Sequence, residues 1–191
     1  DDALNKFLEI GKRLGFRTKN IDKYCGYIEF GEGEELVGII GHLDVVPEGE
    51  GWTHPPFELT IDNDKLYGRG TTDDKGPMMA SLYAMKAVME NTTVHKRVRL
   101  IIGLNEENIW KCINYYKAHE EAPTVGFSPD ADFPCIYAEK ALLTAYTSET
   151  CVENDKIKIK EIDCKNNRVN VVPKYCSVKL EVDSKIEEEV K

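Results

Sequence analysis

LVGIIGHLDVVP (residues 36–47) and RVRLIIGLNEEN (residues 97–108) decide the fold. Each carries an unbroken apolar run, residues 36–41 and 100–104, and then turns polar. A strand buried on both faces is written this way, because neither face meets water. Between them, KGPMMASLYAMKAVME (75–90) reads as a helix, opened by Gly76-Pro77 with the proline near its first turn. TVGFSP (124–129) reads as a further strand, so the organisation is α/β. The residues just after the apolar runs are as telling as the runs themselves. His42, Glu106, Glu107 and Asp130 stand at their ends, and Asp73 is delivered in the same manner by GRGTTDDKG (68–76). In α/β sheets the carboxyl ends of strands are where ligand sites lie. Carboxylates that converge there repel one another or shift upward in pKa, and a shared polyvalent cation removes both problems.

The flanking sequence extends this frame. Leu4, Phe7, Leu8, Ile10 and Leu14 recur at helical spacing over residues 2–15, and YCGYIEF (24–30) alternates as a strand. FELTI and KLYG flank an Asp-Asn-Asp turn and read as a hairpin, and residues 108–120 read as a short helix. Beyond Asp130, ALLTAYTSETCVENDKIKIKEIDC and RVNVVPKYCSVKLEVD alternate as strands without long helices between them.

Composition narrows the class. The chain has 191 residues, 41% hydrophobic and 31% charged, enough for one ordinary domain or one domain and part of a second. A net charge of −9 gives no global electrostatic support for binding a phosphate backbone, so no nucleic-acid partner is expected. No apolar stretch approaches the roughly 18 residues of a membrane span, and the expected compartment is the cytoplasm. Cys25, Cys112, Cys135, Cys151, Cys164 and Cys176 are scattered without a C-x-x-C pair and read as reduced packing residues.

Taken singly, the candidate residues stay ambiguous. His42 offers an imidazole nitrogen to a metal, yet a lone histidine after an apolar run reads equally as a satisfied core residue. Asp73 could be a ligand, a turn residue or an N-cap, and Asp74 reads as a cap for the helix over 75–90. Glu106 and Glu107 could be solvated surface. Asp132 reads as surface, and His54, His95 and His119 receive no role.

Together the motifs are specific. HLDVVPEGEGW (42–52), YGRGTTDDKGP (67–77), NEEN (105–108) and FSPDADFP (127–134) resemble, in order, the zinc aminoacylase/carboxypeptidase superfamily, peptidase family M20. Within it they are similar to the bacterial carnosinase-like or Xaa-His dipeptidases, from about residue 3 onward. The resemblance implies an α/β catalytic domain with a mixed sheet flanked by helices over residues 1–145. It also implies the start of a smaller α+β lid domain over 146–191. By the same resemblance, two Zn²⁺ ions bind at the strand ends, although Mn²⁺ or Co²⁺ would also suit the donors. His42, Asp73, Glu107 and Asp130 are the implied ligands, with Asp73 bridging through a cis Asp73–Asp74 peptide. Asp44 supports the centre, and Glu106 is the implied general base for hydrolysis of a small peptide. An N-acyl-amino-acid deacylase of the same superfamily, or a metal-binding chain without turnover, are the other readings. Asn105 and Asn108 depart from the family's Asp and Ser or Thr. The family's catalytic domain also resumes after the lid with a further ligand histidine, and the lid supplies a His and an Arg. The expectation is therefore that this chain alone binds metal but turns over slowly.

Overall fold

A computed structural model describes residues 2–132, 134–141, 143, 145–148, 156–164 and 175–186. The chain divides into two compact units, Asp1–Tyr137 and Ala138–Lys191.

In the first unit, α1 (Asp2–Arg13) leads into β1 (Arg17–Ile21), β2 (Cys25–Phe30) and β3 (Leu36–His42). The short hairpin β4 (Thr60–Asp62) and β5 (Lys65–Tyr67) precedes α2 (Lys75–Asn91), β6 (Arg97–Gly103), α3 (Lys111–His119) and β7 (Val125–Phe127). The main sheet runs in the order β1-β2-β6-β3-β7. β1 with β2 and β2 with β6 are antiparallel, whereas β6 and β7 both lie parallel to β3. The sheet is therefore mixed, as the resemblance implies. Because β3, β6 and β7 point the same way, the loops after them emerge along one edge. His42 pairs with Gly103 at that edge.

Both faces of the central strands are covered, which is why residues 36–41 of β3 and 100–103 of β6 run apolar without alternation. Leu100 and Ile102 pack with Leu4, Phe7 and Leu8 of α1 and Met78, Leu82 and Met85 of α2. Ile101 faces the other way, against Cys112 and Tyr116 of α3. The apolar stripe of α1 closes its side of the sheet, and Lys12 and Arg13 in its last turn complement the helix dipole. Pro77 falls in the first turn of α2, where its missing N–H costs no helical bond. At the other end of the sheet, Gly126 lets β7 approach: a Cβ there would lie 2.4 Å from the Gly38 carbonyl oxygen.

Two boundaries differ from the sequence reading. β1, RTKNI, carries too little apolar character to read as a strand; it is an edge strand, largely exposed, and its polar side chains suit that position. α3 begins at Lys111 rather than residue 108, since Trp110 adopts a left-handed conformation with φ 55° and interrupts the helix.

In the second unit, β8 (Ile157–Asp163) and β9 (Ser177–Val182) form an antiparallel hairpin, with a register irregularity between Ile159 and Glu161. Of the other strand expectations after Asp130, residues 141, 143 and 145–148 are not in a strand, and the rest lie outside the described residues. Among the described residues, no helix is long and apolar enough to cross a membrane.

Away from His42 and Asp74, an ion pair is buried in the first unit. Arg99 is 4% exposed and sits directly across from Glu29 in the β2–β6 register. Its Nε donates to Glu29 Oε2 at 2.6 Å, Nη1 donates to the Tyr116 hydroxyl at 2.7 Å, and its guanidinium lies 4.0 Å from the Tyr27 ring centre. Removing one partner of a buried pair strands the other charge, at a cost of about 3–5 kcal/mol. Glu29→Ala should lower stability by that amount in urea unfolding, and a loss under about 1 kcal/mol would show that Arg99 is solvated instead.

Candidate metal centre

The site assembles around His42, which ends β3 and is 1% exposed. Its Nδ1 faces the Asp44 backbone carbonyl at 3.0 Å and Asp44 Oδ1 at 3.4 Å. Its Nε2 lies 2.9 Å from Asp73 Oδ1, 3.3 Å from Asp130 Oδ2 and 3.8 Å from Glu106 Oε2. Asp44 in turn joins the loops after β3 and β6: its Oδ1 accepts from the Glu106 N–H and its Oδ2 from the Glu107 N–H, both at 3.2 Å.

Asp74 occupies a different place from the one its sequence position indicates. It stands at the N-cap of α2, yet its side chain makes no capping bond. The carboxylate turns inward, is fully buried, and Oδ2 accepts the His42 backbone N–H at 3.1 Å. Gly41 makes room for it, since a Cβ at residue 41 would meet Asp74 Oδ2 at 2.2 Å and Met78 Sδ at 2.4 Å. The Asp73–Asp74 peptide is cis. Asp73 itself lies in the turn ahead of α2, not at the end of a sheet strand, and its side chain is 58% exposed.

Electrostatics reflect this crowding. Burial opposes charge on His42, but the Asp44 hydrogen bond and the Asp130, Asp44 and Glu106 carboxylates overcome it and raise its pKa to about 10. Asp44 is held below the usual carboxylate range: burial works against this, and the bonds from His42, Glu106 and Glu107 outweigh it. Glu106 is raised by burial and by Asp130, Glu107 and Asp44, against the pull of His42. Asp130 is raised by burial, Asp73 and Asp44, again against His42. Burial lowers Lys75, although Asp44 and Asp73 favour its charge.

The donor set fits a cation. His42 Nε2 carries at most one proton, while three carboxylates lie within 3.8 Å of it. Among the described residues, ligand-capable atoms of His42, Glu106 and Asp130 lie within 4.8 Å of one another. Asp73 joins through its contact with Nε2. Glu107 meets the site through its backbone N–H on Asp44, and it is Glu106 whose carboxylate stands beside Asp130. A cavity of about 40 Å³ opens here, lined among others by His42, Glu106, Trp110, Ser128 and Asp130. Sequence reasoning passed over the buried role of Asp74; the glycine before His42 and the doubled Asp were its only signals.

The description peptidase family M20/M25/M40 matches residues 38–187. The chain belongs to that family. It is 52% identical over 144 residues to "Putative dipeptidase YtjP" of Bacillus subtilis (strain 168), covering 75% of this chain and 31% of that protein. It is 45% identical over 159 residues to the Beta-Ala-Xaa dipeptidase of Lactobacillus delbrueckii subsp. lactis, covering 82% of this chain and 33% of the relative. Among solved structures, the M20 family metallo-carboxypeptidase Sso-CP2 from Sulfolobus solfataricus superposes with a TM-score of 0.58 at 29% identity. That match covers 69% of this chain and 32% of the carboxypeptidase. This M20 chain thus spans about a third of the length of these relatives.

Metal and pH should each leave a mark on stability. Zn²⁺ at a hundredfold excess over its dissociation constant should stabilise the chain by about 2.7 kcal/mol, read as a rise in melting temperature. His42→Ala should erase that rise. Asp74 concerns pH: burial first, then Asp130 and Asp73, raise its pKa from 3.8 to about 7, against the His42 N–H. The metal-free folded chain therefore holds this proton more tightly than the unfolded chain, and stability falls as pH rises from 3.8 toward 7. Asp74→Asn should flatten that part of the stability–pH curve in urea melts; an unchanged slope would count against a raised Asp74.

Proposed function

We propose that the intact protein hydrolyses dipeptides at a dinuclear Zn²⁺ centre, with Glu106 as general base. The observation that carries this reading is the meeting of Asp73, Asp130 and Glu106 on one imidazole nitrogen of a buried histidine. Names of two relatives, a dipeptidase of B. subtilis and a Beta-Ala-Xaa dipeptidase, point to the same chemistry. In this reading His42, Asp73, Glu107 and Asp130 hold the metal, residues 1–145 belong to the catalytic domain and 146–191 open the lid. The protein works in the cytoplasm on small peptides.

Each residue has a physical task. Asp44 accepts from the Nδ1 side of His42, which leaves Nε2 to face the carboxylates as a ligand. Because it also binds the Glu106 and Glu107 N–H groups, it fixes both glutamates relative to His42. When bound, a divalent cation supplies Lewis acidity and makes water easier to deprotonate. Glu106 Oε2 takes the proton of the attacking water and returns it to the leaving amine. Its raised pKa brings the carboxylate closer to the working pH of such a proton carrier.

Glu106→Gln keeps the shape of the side chain and removes the base. In the full-length protein it should lower kcat for a β-alanyl dipeptide by about 10²–10⁴ while metal content, read by atomic emission, stays near normal. Glu107→Gln should instead lower metal occupancy. If Glu106→Gln strips the metal and Glu107→Gln does not, the two roles are reversed. Preferred hydrolysis of N-acetyl amino acids over dipeptides would move the protein to the deacylases.

A further inference from the structure

The cysteines are not all packing residues. Cys25 and Cys112 are buried on the α3 face of the sheet, and burial pushes the Cys25 thiol up to about 12, where it is inert. Cys164 and Cys176 are different. In the β8–β9 register Asp163 pairs with Ser177, so one step outward on each strand sets Cys164 across from Cys176. Both are free thiols, Cys176 exposed and Cys164 half-buried. The Cys164 thiol donates to Cys176 Sγ across 2.8 Å. A disulfide bond measures about 2.05 Å, and facing residues of antiparallel strands bring their Cβ atoms to about 4.5–5.5 Å, close to what a bridge requires.

We propose that Cys164 and Cys176 form a reversible dithiol–disulfide pair that staples the two strands at the connected end of the β8–β9 hairpin. The oxidant is a small-molecule disulfide. Cys176, the more exposed sulfur and the one that accepts the hydrogen bond, attacks it as the thiolate; one small thiolate leaves and a mixed disulfide remains on Cys176. Cys164 then attacks the Cys176 sulfur as its thiolate and expels the second small thiolate. The two cysteines are oxidised by two electrons, the small disulfide is reduced to two thiols, and the two cysteine protons go to the departing thiolates. The product ring encloses the segment between the strands, residues 165–174, and a small thiol at higher concentration reverses it. Neither sulfur takes part in the proposed peptidase chemistry, so the pair stands whether or not that reading holds.

The 191-residue chain, treated with hydroxyethyl disulfide and quenched with an alkylating agent, tests this. The expected result is loss of two free thiols and a non-reduced tryptic species in which EIDCK (161–165) is joined to YCSVK (175–179). Dithiothreitol should restore both thiols. Cys164→Ser should leave a persistent mixed disulfide on Cys176. The proposal is overturned if the unsubstituted chain accumulates unresolved mixed disulfides at these two positions. It is equally overturned if links through Cys135 or Cys151 form as abundantly as the Cys164–Cys176 link.

Discussion

A single hydrogen bond, from the His42 backbone N–H to the buried Asp74 carboxylate, ties the end of β3 to the start of α2. In sequence the two elements are separated by the long excursion that holds β4 and β5, and in space Ile39 of β3 packs in one cluster with Met78 and Leu82 of α2. Once Asp74 is anchored under the strand, Asp73 is carried to the other side of the histidine, within reach of Nε2. The bond depends on an absence: Gly41 presents no Cβ where the carboxylate must pass. Asp44 repeats the device on the opposite side, taking two backbone N–H groups from the loop after β6. The imidazole is thus held from several directions before any ligand arrives, which is the preorganisation a metal centre needs.

Pairing and burial explain why the site lies where it does. Three parallel strands end at one edge, and each is succeeded within a few residues by an acid or histidine. His42 shares its face of β3 with Ile40 and the α3 cluster, whereas Gly41 looks toward Met78 and α2. The strand's two-residue alternation therefore separates the tasks. One face carries the imidazole into the cavity, and the other makes room for the carboxylate that holds the backbone.

Much of this was legible in the chain. The apolar runs at 36–41 and 100–104 specify central strands because they lack alternation, and the residues after them specify the edge. The cis Asp73–Asp74 peptide came from the resemblance and not from any local rule. The features that stayed hidden share one physical property: they depend on a partner remote in sequence. β1 is polar because its neighbour strand and solvent, not its own pattern, define it. Asp74 has the composition of a helix cap, and its burial depends on a glycine 33 positions earlier. The Cys164–Cys176 contact depends on strand register, which scattered cysteines do not reveal. Adjacent glutamates differ by only one residue in sequence, and the loop geometry after β6, with Trp110 turned left-handed, decides which carboxylate stands beside Asp130.

The same geometry sets a competition at the centre of the site. Burial and mutual repulsion raise Glu106, Asp130 and Asp74, while the carboxylates raise His42, so the metal-free cluster tends to retain protons. A proton and a divalent cation relieve the same repulsion, and each bound cation must therefore displace protons from this set. Desolvation that would be a liability in a structural ion pair acts here as a reserve of affinity, because a cation stabilises carboxylates that water no longer reaches. Asp44, held ionised by two backbone N–H groups and His42, is the exception. It remains a fixed negative charge against which the histidine stays oriented.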